Sequence, residues 1–268
     1  MKVLVLVKSQ GEADEVASVV ETQGHVCASY SDWDTYIDAL RREKHPILLV
    51  DQSFFSEHHV AELRRNSLGY VYIIGVGVDP AQALKMGLNS CVPNVSDRNS
   101  VAGVIDVASN FLIKYQRLSN EMQDFPSSGG VISKSAFNQL FLSSLDRTGR
   151  YGEDSYVLFF SIENYKNIIV DDSEYSARHA TARLAYHLSK TRRLSDILAQ
   201  TDDHEYALLF LSPEYKEEPL EATNRFMATL SRIQDYTNGL SPVEVSLKLY
   251  KFPSGVIEQE HSFTVKAA

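Results

Sequence analysis

Short aliphatic runs separated by helix-patterned stretches constrain this chain more than any other feature. Up to about residue 110, the runs Val3 to Val7, Val26 to Tyr30, Ile47 to Val50, Val71 to Val76 and Cys91-Val92 are separated by loops and by helical patterns, among them Ala13 to Gln23, Tyr36 to Arg42 and Ala81 to Gly87. Such runs suit strands covered on both faces, and strands that alternate with helices join through right-handed crossovers into a parallel sheet. At 268 residues the chain exceeds one ordinary domain and can bury two cores.

From Val101 onward the apolar positions Val101, Val104, Ala108, Phe111, Tyr115, Leu118, Met122 and Phe125 alternate steps of three and four, a heptad seam. Its first half equally suits a last helix packing on its own sheet. The second half runs past that sheet, so a homodimer through Val101 to Phe125 is expected. Pro126-Ser127-Ser128-Gly129-Gly130 then breaks the helix. Beyond it the pattern predicts helices over Ser133 to Leu145, Tyr175 to Arg192 and Leu220 to Thr237, and strands over Ser155 to Ser161, Ile197 to Thr201, Glu205 to Leu211 and Val243 to Tyr250. The expected fold is therefore a flavodoxin-like α/β domain over 1–110, a helical linker over 111–126, and an α+β domain with a mostly antiparallel central sheet over 127–268.

Composition narrows the functions. Apolar residues make up 44% and charged residues 23%, as in soluble proteins, and no apolar run reaches the ~20 residues of a membrane span, so no membrane insertion is expected. The start, Met1 to Val7, is too short for a signal peptide and lacks a small-residue cleavage site; a buried first strand explains it better. Cys27 and Cys91 have neither disulfide-framework nor zinc-site spacing, which points to a reducing cytoplasm. The net charge of -9 disfavours DNA as a partner. The pairs His179 with His187 and His58-His59 lack cysteine or carboxylate support at metal-ligand spacing, so no metal is expected.

The first domain resembles a response-regulator receiver, with Asp51 ending the third strand where that family carries its phosphorylated aspartate. Phosphoryl transfer to a carboxylate needs magnesium, which receivers hold with acidic residues after strand one. Lys8-Ser9 stands there instead; Gly75 replaces the family's Thr or Ser after strand four, and Asn94 or a neighbour its Lys after strand five. The resemblance thus implies a pseudo-receiver in which Asp51 is a vestigial phosphoacceptor position.

The second domain resembles a GGDEF, or diguanylate cyclase, domain. Its anchor is Asp196-Ile197-Leu198-Ala199-Gln200-Thr201-Asp202-Asp203-His204-Glu205-Tyr206-Ala207-Leu208-Leu209, an Asp, a strand, the signature turn and a second apolar strand. Upstream, Phe160-Ser161-Ile162-Glu163-Asn164-Tyr165-Lys166 is similar to the family's D-x-D-x-F-K stretch, and Val131 to Phe137 to its eroded start. Joining two GTP molecules needs two metals. The family's first metal aspartate is Ser161 here, its signature carboxylate is His204, and only Glu205 of the acidic pair remains, followed by Tyr206. Asp202 and Asp203 replace the two glycines that let the backbone approach nucleotide; at ~5 Å and an effective dielectric near 20 each would repel a phosphate charge by about 3 kcal/mol. The guanine-reading Asn aligns with Ile169 and a later Asp falls near Arg178. After Leu249 to Pro253 only a short polar tail is expected in place of the family's last helix. The resemblance implies no catalytic residues, no metal and no cofactor.

One part of the family pattern is kept. Its product-inhibition motif, R-x-x-D, is present at the family's spacing as Arg193-Leu194-Ser195-Asp196, and Arg225 stands where a second arginine often completes that site. A guanidinium offers a donor fork to guanine O6 and N7 or to phosphate, and a carboxylate accepts from guanine N1 and N2. The resemblance thus implies a cyclic di-GMP receptor that acts on an unidentified effector protein. Arg193 and Asp196 also suit a plain surface pair near a helix end, and Arg192 a helix-end charge. A ligand-free interaction scaffold, and an enzyme with altered chemistry around Asp202 to Glu205, remain as alternatives.

Overall fold

The computed structural model describes residues 1–55, 58–119, 124–125, 129–151, 154–211, 213, 215–233, 236 and 241–265. They fall into two compact units, one of Met1–Tyr115 with Asp146–Glu153 and Pro253–Gly255, the other of Gln116–Leu145, Asp154–Phe252 and Val256–Ala268.

The first unit holds strands β1 (Lys2–Leu6), β2 (Val26–Tyr30), β3 (Ile47–Asp51), β4 (Tyr72–Val76) and β5 (Ser90–Val92), all parallel, in the order β2-β1-β3-β4-β5. That order is flavodoxin-like, as the alternation of runs predicts. Helices α1 (Gln10–Thr22), α2 (Trp33–Arg42), α3 (His59–Asn66), α4 (Pro80–Lys85) and α5 (Arg98–Leu118) connect or follow them. Local chemistry fixes several starts: Ser9 and Glu12 form a capping box on α1, Asp32 caps α2, and Asp79 caps α4 ahead of Pro80. Helix α3 was not expected from the sequence. Only Val60 and Leu63 of it are buried, too few apolar positions to mark a period. Strands β3 and β4 are buried throughout, with Leu48, Val50 and Ile73 packing against Leu4 and Leu6.

The stripe on α5 is broader than a heptad seam. Val101, Ile105, Ala108, Phe111 and Leu112 are all buried within the chain, which is the width of a helix-on-core contact. The helix ends at Leu118; Met122 and most of the rest of the expected stalk lie outside the described residues.

The second unit is built on an antiparallel sheet of β6 (Ser155–Ile162), β7 (Ile197–Asp202), β8 (Glu205–Phe210), β9 (Val243–Phe252) and β10 (Val256–Val265), in the order β10-β9-β6-β8-β7. Helices α6 (Lys134–Tyr151), α7 (Tyr165–Asp171), α8 (Glu174–Thr191) and α9 (Glu218–Leu230) complete the α+β arrangement. One core joins Leu158, Phe160, Leu184, Leu208, Phe226 and Leu247. Three local expectations change. The tail expected to be short and polar is the ten-residue strand β10, hydrogen-bonded along β9 with a bulge between Ile257 and Gln259. Tyr165 to Asp171 form a separate short helix, and α9 stops at Leu230. Among the described residues no helix is long and apolar enough to cross a membrane.

Candidate functional site

Helix α8 buries Ala177, Ala180, Leu184 and Leu188, and this anchors the turn that follows it. Arg192 ends the helix with its N–H on Leu188 O at 3.0 Å, and the chain turns through Arg193 to Asp196, whose N–H reaches Arg193 O at 3.2 Å, before entering β7. The Arg192 guanidinium staples that turn: Nη1 donates to the carbonyls of Arg193 (2.9 Å) and Asp196 (2.8 Å), and Nη2 to that of Gly130 (3.1 Å). Arg192 is therefore a structural brace, beyond the helix-end charge expected of it.

Asp196 is buried at 5% exposure. Burial pushes its carboxyl above the usual carboxylate range, while the Arg193 N–H and the charges of Arg193, Arg225 and Arg192 pull it back down. Arg225 lies on exposed α9 surface, and its charge is one of the smaller influences on Asp196. One further contact was not foreseen. Arg193 Nη1 pairs with Oε1 of Glu218, a buried carboxylate in the first turn of α9, where the helix dipole favours negative charge. Leu194, the residue after Arg193, is 94% exposed.

The signature hairpin is arranged differently. Asp202 Oδ1 accepts the N–H of Asp203 at 2.7 Å, and Gln200 Nε2 donates to Asp202 O at 3.1 Å beside a bulge in β7. The His204 ring stacks on Tyr165, centroids 5.5 Å apart, and its Nδ1 is 3.9 Å from Asp202 Oδ1. Glu205 points inward: Oε2 accepts from Ser161 Oγ at 3.2 Å and Oε1 from Thr201 Oγ1 at 3.0 Å. Tyr206 is buried, donates to Thr181 O at 3.3 Å, and has its phenol pushed up by burial. Ile169 stays half exposed, and Arg178 pairs with Glu174 at 2.6 Å along α8. His179 and His187 take separate aromatic neighbours, Tyr175 and Tyr186, and His59 stacks on Trp33. Among the described residues no group of three or more His, Cys, Asp or Glu could hold a metal ion.

In the first unit, Asp51 sits at the end of β3, and its Oδ1 accepts the Ser53 N–H at 2.9 Å and the Ser53 hydroxyl. Lys8 Nζ lies 3.5 Å from the same oxygen. At Gly75 a Cβ would stand 2.8 Å from Leu88 Cδ1 and 3.0 Å from Val78 Cγ2, so the room for a side chain is filled. Asn94 is occupied locally, accepting the Asp97 N–H at 2.9 Å.

No family model matches the chain, and no curated protein does. Solved structures similar to it include GGDEF domains and a receiver. The GGDEF domain of YfiN (TpbB) from Pseudomonas aeruginosa is 17% identical over 44% of this chain and 70% of that one, with a TM-score of 0.39. A response regulator receiver protein from Burkholderia phymatum is 15% identical over 41% of this chain and 94% of its own, with a TM-score of 0.35. The diguanylate cyclase SiaD of Pseudomonas aeruginosa, in complex with its activator SiaC, is 14% identical over 60% of this chain and 61% of its own, with a TM-score of 0.41.

Proposed function

We propose that the second unit is a non-catalytic, GGDEF-like receptor for cyclic di-GMP, that Arg193, Asp196 and Arg225 form its ligand site, and that it signals through contacts with an effector protein. The observation that carries this reading is that Arg193 pairs with Glu218 of α9, the helix that also bears Arg225, so the Arg193 to Asp196 turn is tied to that helix; the charges of both arginines bear on Asp196. Two guanidiniums and a carboxylate supply what a guanine and a phosphate of a cyclic dinucleotide need.

The absence of cyclase chemistry is supported by where the signature side chains go. Glu205 is taken up by Ser161 and Thr201, and Ser161 has no charge with which to hold magnesium. Asp202 and Asp203 put negative charge where a triphosphate would approach. In the first unit, the Lys8 ammonium stands beside Asp51 as a built-in cation, which supports a pseudo-receiver rather than a phosphorylation site. A homodimer through Val101 to Phe125 is not part of the proposal, because Val101, Ala108 and Phe111 are already buried within the chain.

Titration calorimetry with cyclic di-GMP on the wild type and Arg193→Ala tests the reading. Saturable heat is expected from the wild type, weakened at least about tenfold in the variant. No heat from the wild type would favour the scaffold, heat that survives the substitution would move the site elsewhere, and conversion of GTP to cyclic di-GMP would overturn the non-catalytic part.

A further inference from the structure

We infer that Glu218 is a specificity-determining residue of the Arg193 site, one that makes Arg193 a reader of a guanine edge and not a phosphate clamp; this rests on the reading given above of that site as a cyclic di-GMP receptor. An arginine fork serves either purpose, since it matches two oxygens of a phosphate and also O6 and N7 of guanine. Net charge at the guanidinium separates the two uses. Here that charge is cancelled by Glu218, which pairs with one end of the fork.

The two side chains differ in exposure, 7% for Glu218 and 49% for Arg193, and this decides which one is held. The carboxylate is enclosed and cannot turn to water, so departure of Arg193 would strip a buried charge of this counterion. Arg193 therefore stays in place while the rest of its fork faces solvent. A phosphate arriving there would bring negative charge beside Glu218 and gain little from a guanidinium already neutralised. A neutral ring with two adjacent acceptors gains the hydrogen bonds without that repulsion.

The surroundings fit a guanine. Leu194 supplies an aliphatic surface next to Arg193. Arg225 makes no ion pair among the described residues and is the cation left for a phosphate. Adenine carries an amino donor where guanine has O6, so it meets the Arg193 donors with a donor of its own.

The test is titration of the full chain and of Glu218→Gln with cyclic di-GMP and cyclic di-AMP, each at low and high salt. The wild type is expected to prefer the guanine dinucleotide by about ten- to hundredfold. In Glu218→Gln the Arg193 charge is no longer cancelled, so cyclic di-AMP binds about tenfold more tightly, the preference narrows, and binding becomes more sensitive to salt. A carboxylate with only a packing role would not move the salt response. Unchanged preference and unchanged salt dependence in that variant, with the wild type still binding cyclic di-GMP, would overturn the role of Glu218 alone. A wild type that binds neither dinucleotide would bring down the receptor reading with it. Arg193→Lys is the second variant, and it does not depend on how Glu218→Gln folds. It keeps the charge and loses the fork, so the guanine preference should disappear; retention of that preference would refute the base-reading role.

Discussion

Gly75 is the sharpest place to ask whether the first unit keeps room for a receiver's switch. The perturbation is Gly75→Ser, which introduces a hydroxyl of the kind found after strand four in the receiver family. A Cβ at this position would lie 2.8 Å from Leu88 Cδ1 and 3.0 Å from Val78 Cγ2. Ordinary carbon contacts are about 3.5–4.0 Å, so the nearer overlap is roughly 0.7 Å. Neither neighbour can swing away into water, because Leu88 is 1% and Val78 7% exposed. Overpacking of this kind costs about 1–3 kcal/mol, and replacing a strand glycine returns about 0.5–1 kcal/mol of backbone entropy. The expected net loss is about 1–2 kcal/mol, or a fall of roughly 4–8 °C in the melting temperature of a unit this size. Trp33 is the only tryptophan and lies in the first unit, stacked on His59 and Tyr36, so its fluorescence reports that unit alone. A Trp33 transition that stays put or rises would refute the packing reasoning. Labelling of Asp51 by acetyl phosphate in the variant would refute the pseudo-receiver reading that goes with it.

Two further predictions concern the second unit. Because burial raises the Asp196 pKa in the folded state, its contribution to stability is full at acid pH and is lost as pH rises through that raised value. Asp196→Asn should therefore be more stable than the wild type at neutral pH, with a gap that closes as pH falls towards the ordinary carboxylate range; urea midpoints across pH measure it, and a gap that widens on acidification contradicts it. Glu205→Ala takes the carboxylate acceptor from the Ser161 hydroxyl and leaves Thr201 Oγ1 only the Glu205 carbonyl at 3.3 Å, and should cost about 2–3 kcal/mol in urea unfolding. A loss below about 0.5 kcal/mol would mean that this carboxylate is not structural.

The strands up to β9 were legible because aliphatic runs such as Ile47 to Val50 and alternations such as Val243 to Leu249 leave few other places to go. The elements that escaped notice carry little apolar signal of their own. Helix α3 rests on Val60 and Leu63, and β10, after Val256 and Ile257, runs through charged and polar residues until Phe263 and Val265. The strand is held by its backbone ladder to β9, which composition does not record. At the candidate site, Arg193, Asp196 and Arg225 were found by motif spacing. Glu218 was hidden in the charged stretch Lys216-Glu217-Glu218, since nothing in the letters says which of two neighbouring glutamates turns inward. The pairing of Lys8 with Asp51 follows from two strand ends lying side by side, a fact of topology.

The contact between Ser161 and Glu205 also bears on what this hairpin can become. The two residues face each other across the register of β6 and β8. An aspartate placed at 161 would bring a second carboxylate towards the first; at ~4 Å and an effective dielectric of 20 that repulsion is about 4 kcal/mol. Only a cation seated between them, or a prior change at 205, would relieve it. A carboxylate at 161 is thus tolerated with a cation between the two side chains, or after a change at 205. The two positions are coupled, and a laboratory search for metal affinity should vary them jointly.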